Sequence, residues 1–341
     1  MTTTARAEAT TVQTTILVEI DGIRIDYLRH SRPGKTLVIT FDPLQYLANQ
    51  PHFAHTLLRK HEVDVVAVRK TIENFYQPLS RERFEAAVRP VLAGYSLVIA
   101  YGSSLGAYAA LYFCRDLECV IVASSPRNSA HPRFGIRHWQ ERIPFQHELF
   151  VTGRIPVCRP HILFDPKDRV DGRYMLGEVL PQFPQARVLR LPHAGHPVNH
   201  FLHELGYIAP FLRALMDGLP LPVLDRRRKG QSPSYLVTLA LRNAERGRLR
   251  WASALVDRAD QLDRANTYAR RTRGRIAMLA DDLSAATAAF EDTLRLDPAD
   301  DLARDWLQQC EVRLAAEKPV VPATPVRPHR RLIRWLLARL R

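Results

Sequence analysis

Between Thr14 and Leu191 the chain repeats one pattern: a short apolar run, a polar break, then a stretch with helical spacing. Lys35–Phe41, Val63–Val68 and the run around Val98 are nearly continuous in Val, Ile, Leu and Phe, the mark of strands buried on both faces. Cys119–Ala123, Pro160–Asp165 and Ala186–Leu191 predict three more strands. His52–Lys60, Ser80–Ala93 and Leu105–Cys114 predict the helices between them. At the start, Thr14–Glu19 and Arg24–Arg29 flank Asp21-Gly22, a hairpin signal. Alternation of this kind predicts an α/β class: a mostly parallel sheet covered by helices.

The pattern changes near Gln231, after a proline- and charge-rich boundary, GLPLPVLDRRRKGQSP. Residues 14–224 therefore form one expected domain, and residues 231–317 a second, alanine-rich and helical one. Within the second, Gly274, Ala286, Phe290 and Pro298 stand at offsets of 12, 4 and 8, and a step back of 34 from 274, 286 and 293 meets Ala240, Ala252 and Ala259. Small residues at these places let helices pack closely. The stretch resembles two tetratricopeptide repeats followed by a helix at Asp301–Glu317, with Arg264 where the first unit's proline belongs. Two repeats bury too little alone, so they are expected to lean on the first domain or on another subunit. The resemblance implies a protein partner. Residues 1–13 are polar and expected to be a disordered N-terminus, and 318–329 a proline-rich linker. Residues 330–341 are expected to form a basic amphipathic helix: Leu332, Ile333, Leu336, Leu337 and Leu340 on one face, arginines mostly opposite.

The chemistry starts at Ser96–Gly106, SLVIAYGSSLG, where a strand runs through G-x-S-x-G into a helix. A serine on so sharp a turn is crowded at two positions on either side, and Gly102 and Gly106 remove the clashing side chains. Ser104 alone has glycines at both −2 and +2; Ser103 does not. Asp168 follows the strand PHILFD, and His196 follows the strand ARVLRL in the loop PHAGHPV. The order Ser104, Asp168, His196, each after its own strand, resembles that of the α/β-hydrolase superfamily, over roughly Thr14 to Leu215. GSSLGAYAALYF and the downstream SSP resemble uncharacterised bacterial hydrolase-like members. The resemblance implies that His196 takes the proton of Ser104, that Asp168 orients the imidazole, and that the Leu105 N–H is one oxyanion donor. Asp165 competes as the acid, though it reads as the strand's last residue, and Asp171 reads as a helix N-terminal cap. His193 competes as an orienting group; His200 and His203 read as surface or capping residues of the next helix. The second oxyanion donor is expected from Phe41 or Leu44, because the loop has no H-G pair, Pro43 has no N–H, and Asp42 brings a negative charge. The loop between Arg127 and Cys158 is the only room for a lid. It offers a basic wall of Arg127, Arg133, Arg137 and Arg142, or a solvated loop anchored by Phe134, Trp139 and Phe145.

Composition narrows the classes. The 341 residues carry a formal charge of +14, concentrated in Arg226–Lys229 and the tail, without a nucleic-acid motif. No stretch approaches the length of a membrane span, and the N-terminus lacks an apolar signal core. Cys114, Cys119, Cys158 and Cys310 have neither metal nor disulfide-framework spacing, which suits a cytoplasmic protein without a metal or cofactor. The expected activity is a serine hydrolase on an acyl or ester substrate, an acidic one among the candidates; the alternatives are a non-catalytic scaffold or adaptor and an acyltransferase. The tail implies reversible contact with the anionic inner face of a membrane, each arginine adding roughly 1 kcal/mol. The intact chain is therefore expected to cosediment with anionic vesicles at low salt and not with neutral ones. Deleting residues 330–341 should release it, and persistent cosedimentation after the deletion would exclude the tail as the anchor.

Overall fold

The computed structural model describes residues 12–30, 34–149 and 155–317. The linker expected at 318–329 and the helix expected at 330–341 lie outside the described residues, as do residues 1–11. The first strand, β1 (Val12–Ile20), begins two residues inside the expected disordered segment. It turns through Asp21 and Gly22, both at positive φ (45° and 76°), into β2 (Ile23–His30), as the hairpin signal predicts. Then come β3 (Thr36–Phe41), α1 (His55–Lys60), β4 (Asp64–Lys70), α2 (Arg81–Leu92), β5 (Leu97–Ser103), α3 (Leu105–Phe113) and β6 (Val120–Ser124). After α4 (Arg137–Gln140) follow β7 (Arg159–Phe164), α5 (Arg169–Tyr174), a π-helical turn at Met175–Val179, α6 (Leu180–Gln182), β8 (Arg187–Arg190), α7 (Asn199–Glu204) and α8 (Ile208–Met216). The sheet runs β1-β2-β4-β3-β5-β6-β7-β8; β1 and β2 are antiparallel, and the pairs from β4 to β8 are parallel.

Period-two alternation decides which face each side chain takes. On β3, Leu37, Ile39 and Phe41 point into one core layer with Phe84 and Val88 of α2 and the buried face of α3. Val38 points the other way, into a second layer with Tyr101, Leu163, Phe201, Leu202 and Phe211 under α7 and α8. Fully burying one such side chain is worth roughly 1.5–3 kcal/mol. The sheet is thus covered on both faces, and the carboxyl ends of its parallel strands β3 to β8 lie on one side.

Arg226–Gln231 forms a short 3₁₀ turn before α9 (Pro233–Ala244), α10 (Leu249–Leu262), α11 (Thr267–Leu279), α12 (Leu283–Leu296) and α13 (Asp301–Glu317). The small residues of the 34-residue period do what their size predicts: Ala240, Ala252, Ala259 and Ala286 are fully buried. A Cβ at Gly274 would overlap the Phe290 ring of the facing helix. The helical region leans on the sheet domain. Glu204, the last residue of α7, accepts hydrogen bonds from the hydroxyls of Ser232 and Ser234 and from the Ser234 N–H at the start of α9. Tyr235 packs on Phe201 with centroids 6.3 Å apart, and Arg242 donates to the Lys167 carbonyl at 3.0 Å.

The segment with room for a lid is packed down by its aromatics. Trp139 meets Phe75 at 5.1 Å, Phe134 meets Tyr174 at 5.4 Å, and Phe145 meets His131 at 4.9 Å. Arg137 pairs with Glu141 in solvent and Arg133 lies over Phe134, so the anchored-loop reading describes this segment better than a basic wall.

Two outcomes follow from the packing. Burial holds His52, His131, His147 and His161 at pKa values of about 4, below the 6.5 of a free imidazole. The unfolded chain therefore binds more protons between those values, and stability should fall with pH from about 6.5 to 4, by up to roughly 1.4 kcal/mol per pH unit per histidine. Urea midpoints across that window check this, and a flat profile contradicts it. A chain ended at Leu224 loses the cover over Phe201 and the partners of Glu204; it should melt lower and be less soluble than the full chain. Equal melting temperatures would mark the helical region as an independent tethered unit.

Candidate functional site

The serine sits where a strand is forced straight into a helix. Ser104 has φ 53° and ψ −117°, a conformation a non-glycine residue holds only when its surroundings impose it. Those surroundings are the Ser104 N–H donating to the Ser124 carbonyl at 2.9 Å, and the Ser104 carbonyl accepting from Tyr108 and Arg127 N–H groups at 3.1 and 3.2 Å. A Cβ on Gly102 would overlap the backbone of Gly106, and one on Gly106 would overlap the Phe41 carbonyl. Both glycines are therefore required by close backbone approach. The Ser104 hydroxyl is half-exposed, whereas Ser103 is buried at the end of β5.

The Ser104 Oγ lies 2.9 Å from Nε2 of His196. On the other side of the ring, Nδ1 lies 2.9 Å from a carboxylate oxygen, and that carboxylate belongs to Asp171, not to Asp168. The two aspartates exchange the parts the sequence suggests. Asp168 caps α5, accepting from the Val170 and Asp171 N–H groups at 3.0 and 2.9 Å. The helical turn it starts carries Asp171 inward to the imidazole. An ionised carboxylate only accepts, so Nδ1 carries the ring proton and Nε2 is left to accept from the serine hydroxyl. Burial pushes the Asp171 carboxyl up, but His196 and Arg127 outweigh it and hold the group below the usual carboxylate range. It stays ionised at neutral pH, and its support is lost only as pH falls through that depressed value.

Arg127, a candidate for the substrate wall, faces inward. Its Nε donates to Asp171 Oδ1 at 2.8 Å and its Nη2 to Asp168 at 3.1 Å. With its own N–H on the Ser104 carbonyl, this residue touches both Ser104 and Asp171. Asp165 orders the loops: it accepts from the N–H groups of Lys167, His193 and Gly195 at 2.7, 3.0 and 3.0 Å. His193 contributes that backbone N–H, and its ring packs toward Tyr235. Neither Arg127 nor Asp171 stands out by motif spacing. The one available signal is D-x-x-D, where the first aspartate is a preferred N-cap and the second falls on the helix it starts.

The loop after β3 lies against the start of α3. Asp42 is fully buried, accepting from Arg69 Nε at 3.1 Å and from the Phe53 N–H at 2.9 Å, and its own N–H donates to the Val68 carbonyl. Its charge is therefore compensated by Arg69 instead of facing a reacting oxygen. Leu105 is the first residue of α3 and carries one of the N–H groups that a helix start leaves without an intrahelical acceptor.

The helical region reaches the site. Thr238 of α9 lies so close to Gly195 (φ 80°) that a Cβ there would meet its hydroxyl at 2.6 Å. A recess of about 690 Å³ has Ala194–Pro197 on one side, and α9, α11 and the beginning of α13 on the other. Ser104 is not on its lining, whereas His196 is. Expected surface residues His200 and His203 line it and are exposed. The cysteines are buried and free, and among the described residues no group of His, Cys, Asp and Glu side chains is arranged to hold a metal. No described helix is long and apolar enough to cross a membrane.

No family model and no curated protein matches the sequence. Solved structures do. A dienelactone hydrolase from Anabaena variabilis is 12% identical, covering 55% of this chain and 88% of its own (TM-score 0.35). An α/β serine hydrolase homologue from Coxiella burnetii is 16% identical, covering 64% of this chain and all of its own (TM-score 0.35). The first tetratricopeptide repeat domain of Spaghetti (RPAP3), solved with an HSP90 peptide, is 19% identical over 34% of this chain and 86% of its own (TM-score 0.24). In this chain a mostly parallel sheet with helices on both faces is followed by a region of five helices.

Asp171→Asn should lower kcat by about 10³- to 10⁴-fold with little change in fold, because the imidazole loses the partner that sets its tautomer. Asp168→Asn should cost at most about 1 kcal/mol of stability, since asparagine still caps a helix, and far less activity. Ester hydrolysis and thermal melting of the two variants check the assignment; the reverse order of damage would return the acid to Asp168.

Proposed function

We propose that the protein is a serine hydrolase acting on an acyl ester through Ser104, His196 and Asp171. The observation that supports it most is the pair of 2.9 Å contacts running from a strained, half-exposed serine through His196 to a buried carboxylate. In this reading His196 Nε2 takes the Ser104 proton as Oγ bonds to the acyl carbon. The imidazolium then gives that proton to the leaving alkoxide as its bond to the acyl carbon breaks. Water, activated by the same nitrogen, attacks the acyl-serine and releases the acid. Asp171 stabilises the imidazolium, and Arg127 positions Asp171. The Leu105 N–H serves as one oxyanion donor; with Pro43 lacking an N–H and Asp42 bonded to Val68, the Leu44 N–H serves as the second.

A fluorophosphonate probe tests the nucleophile. The wild-type chain and Ser103→Ala should be labelled, and Ser104→Ala should not. Equal labelling of both variants would displace the nucleophile from Ser104. A folded wild-type chain that is never labelled would favour a hydrolase-like scaffold.

A further inference from the structure

One face of α9 reaches both of the segments that bring Asp171 and His196 together. Tyr235, Thr238 and Arg242 stand at i, i+3 and i+7, so their side chains share a side of the helix. Tyr235 sets its ring across that of His193, with centroids 6.3 Å apart. Thr238 takes the space that a Cβ on Gly195, the residue before His196, would need. Arg242 reaches the other segment. Its Nη2 donates to the Lys167 carbonyl at 3.0 Å and lies 3.8 Å from Asp168 Oδ2. The Lys167 N–H donates to Asp165 at 2.7 Å, so the residue before the α5 cap is held from both sides. Asp168 Oδ1 is taken by Arg127 and by the N–H groups of Val170 and Asp171. Among the described residues, Arg242 is the ion-pair partner that Asp168 Oδ2 has. The guanidinium itself is fixed: its Nη1 donates to Glu245 at 3.1 Å, and the side chain is only one-fifth exposed.

From this we infer, resting on the serine-hydrolase reading, that Arg242 is a positioning residue of the active site. It fixes the start of α5, and through that start the place where Asp171 meets His196. The relay runs from the Arg242 guanidinium to the Lys167 carbonyl and the Asp168 carboxylate, then through the cap of α5 to Asp171 Oδ2, 2.9 Å from His196 Nδ1. A guanidinium suits the task because its planar fork of N–H donors serves a carbonyl and two carboxylates at once. Without it, Asp168 keeps only Arg127 as an ion-pair partner among the described residues. Arg127 is then the one arginine left to hold the two aspartates in register. A misplacement of about 1 Å between catalytic groups can cost roughly 100-fold in rate. The helical region is by this contact a working part of the hydrolase, not a unit merely attached to it.

The test uses the full chain and two measurements. One is the second-order rate constant for labelling Ser104 with a fluorophosphonate. The other is the ring tautomer of His196, read by nitrogen-15 NMR of histidine-labelled protein, its signals assigned as those lost in His196→Gln. Arg242→Ala should be labelled at least tenfold more slowly than the wild-type chain. The share of neutral His196 that carries its proton on Nδ1 should fall with it. Arg242→Lys, which keeps the charge and a donor, should lie between the two in both measurements, and it carries the test if the alanine variant does not fold. Arg273→Ala removes ion pairs to Asp257 and Asp260 within the helical region. Whatever its melting temperature, it should be labelled at the wild-type rate. Equal slowing in Arg273→Ala would mark the Arg242 effect as lost stability of the helices and overturn the inference. Wild-type labelling of Arg242→Ala with the tautomer unchanged would also overturn it, and leave the hydrolase reading intact. A His196 tautomer that depends on Arg242, in a chain whose Ser104 is never labelled, would uphold the positioning role and overturn the hydrolase reading.

Discussion

Asp165, fully buried where β7 ends, accepts three backbone N–H groups: Lys167 in the loop that leads to Asp171, and His193 and Gly195 in the loop that carries His196. One carboxylate thus ties together two loops from different strands, and the histidine and its acid meet because of it. A hydrogen bond to an ionised acceptor is worth more than a neutral one, and burial removes the competing water. Downstream of that clamp, Asp168 caps α5 and Arg127 bridges Asp168 and Asp171 while also holding the Ser104 carbonyl. Ser104, His196 and Asp171 are aligned by groups that stand outside their row of contacts.

The same loops fasten the helical region. Gly195 leaves space for Thr238, and the Lys167 carbonyl accepts from Arg242. The helical region rests on the sheet domain through Glu204, Phe201 and the Lys167 carbonyl. In exchange it closes one side of a recess at His196. Stability and site shape are therefore coupled at this junction.

The loop after β3 shows how a departure from a familiar pattern is absorbed. A buried aspartate beside an oxyanion site opposes catalysis electrostatically if it is unpaired. Here Asp42 is matched by Arg69, whose Nη2 also donates to backbone carbonyls of the same loop. Burial still pushes its carboxyl up, with the Phe53 N–H and Arg69 working against that. The loop is tied to β4 by this ion pair, and Pro43 only limits which amides remain to donate.

Local patterns determined much of this protein. Short, nearly continuous apolar runs between helical stretches mark the strands of a sheet covered on both faces, and Asp21-Gly22 marks the hairpin turn. Gly102 and Gly106 mark the strained serine because backbone contact excludes any side chain there. Small residues recurring every 34 positions mark close-packed helix pairs, and these depend on neighbours along the chain alone. The identity of the acid was decided elsewhere. Asp165, Asp168 and Asp171 are the same residue type within seven positions, and each is suited to a cap, a clamp or a triad. Their roles separate only when α5 forms and the His196 loop arrives from another strand. The inward turn of Arg127 likewise depends on contacts between segments far apart in sequence. A linear pattern records which chemical groups are present; which of them meet is set by the packing of the sheet domain against the helices.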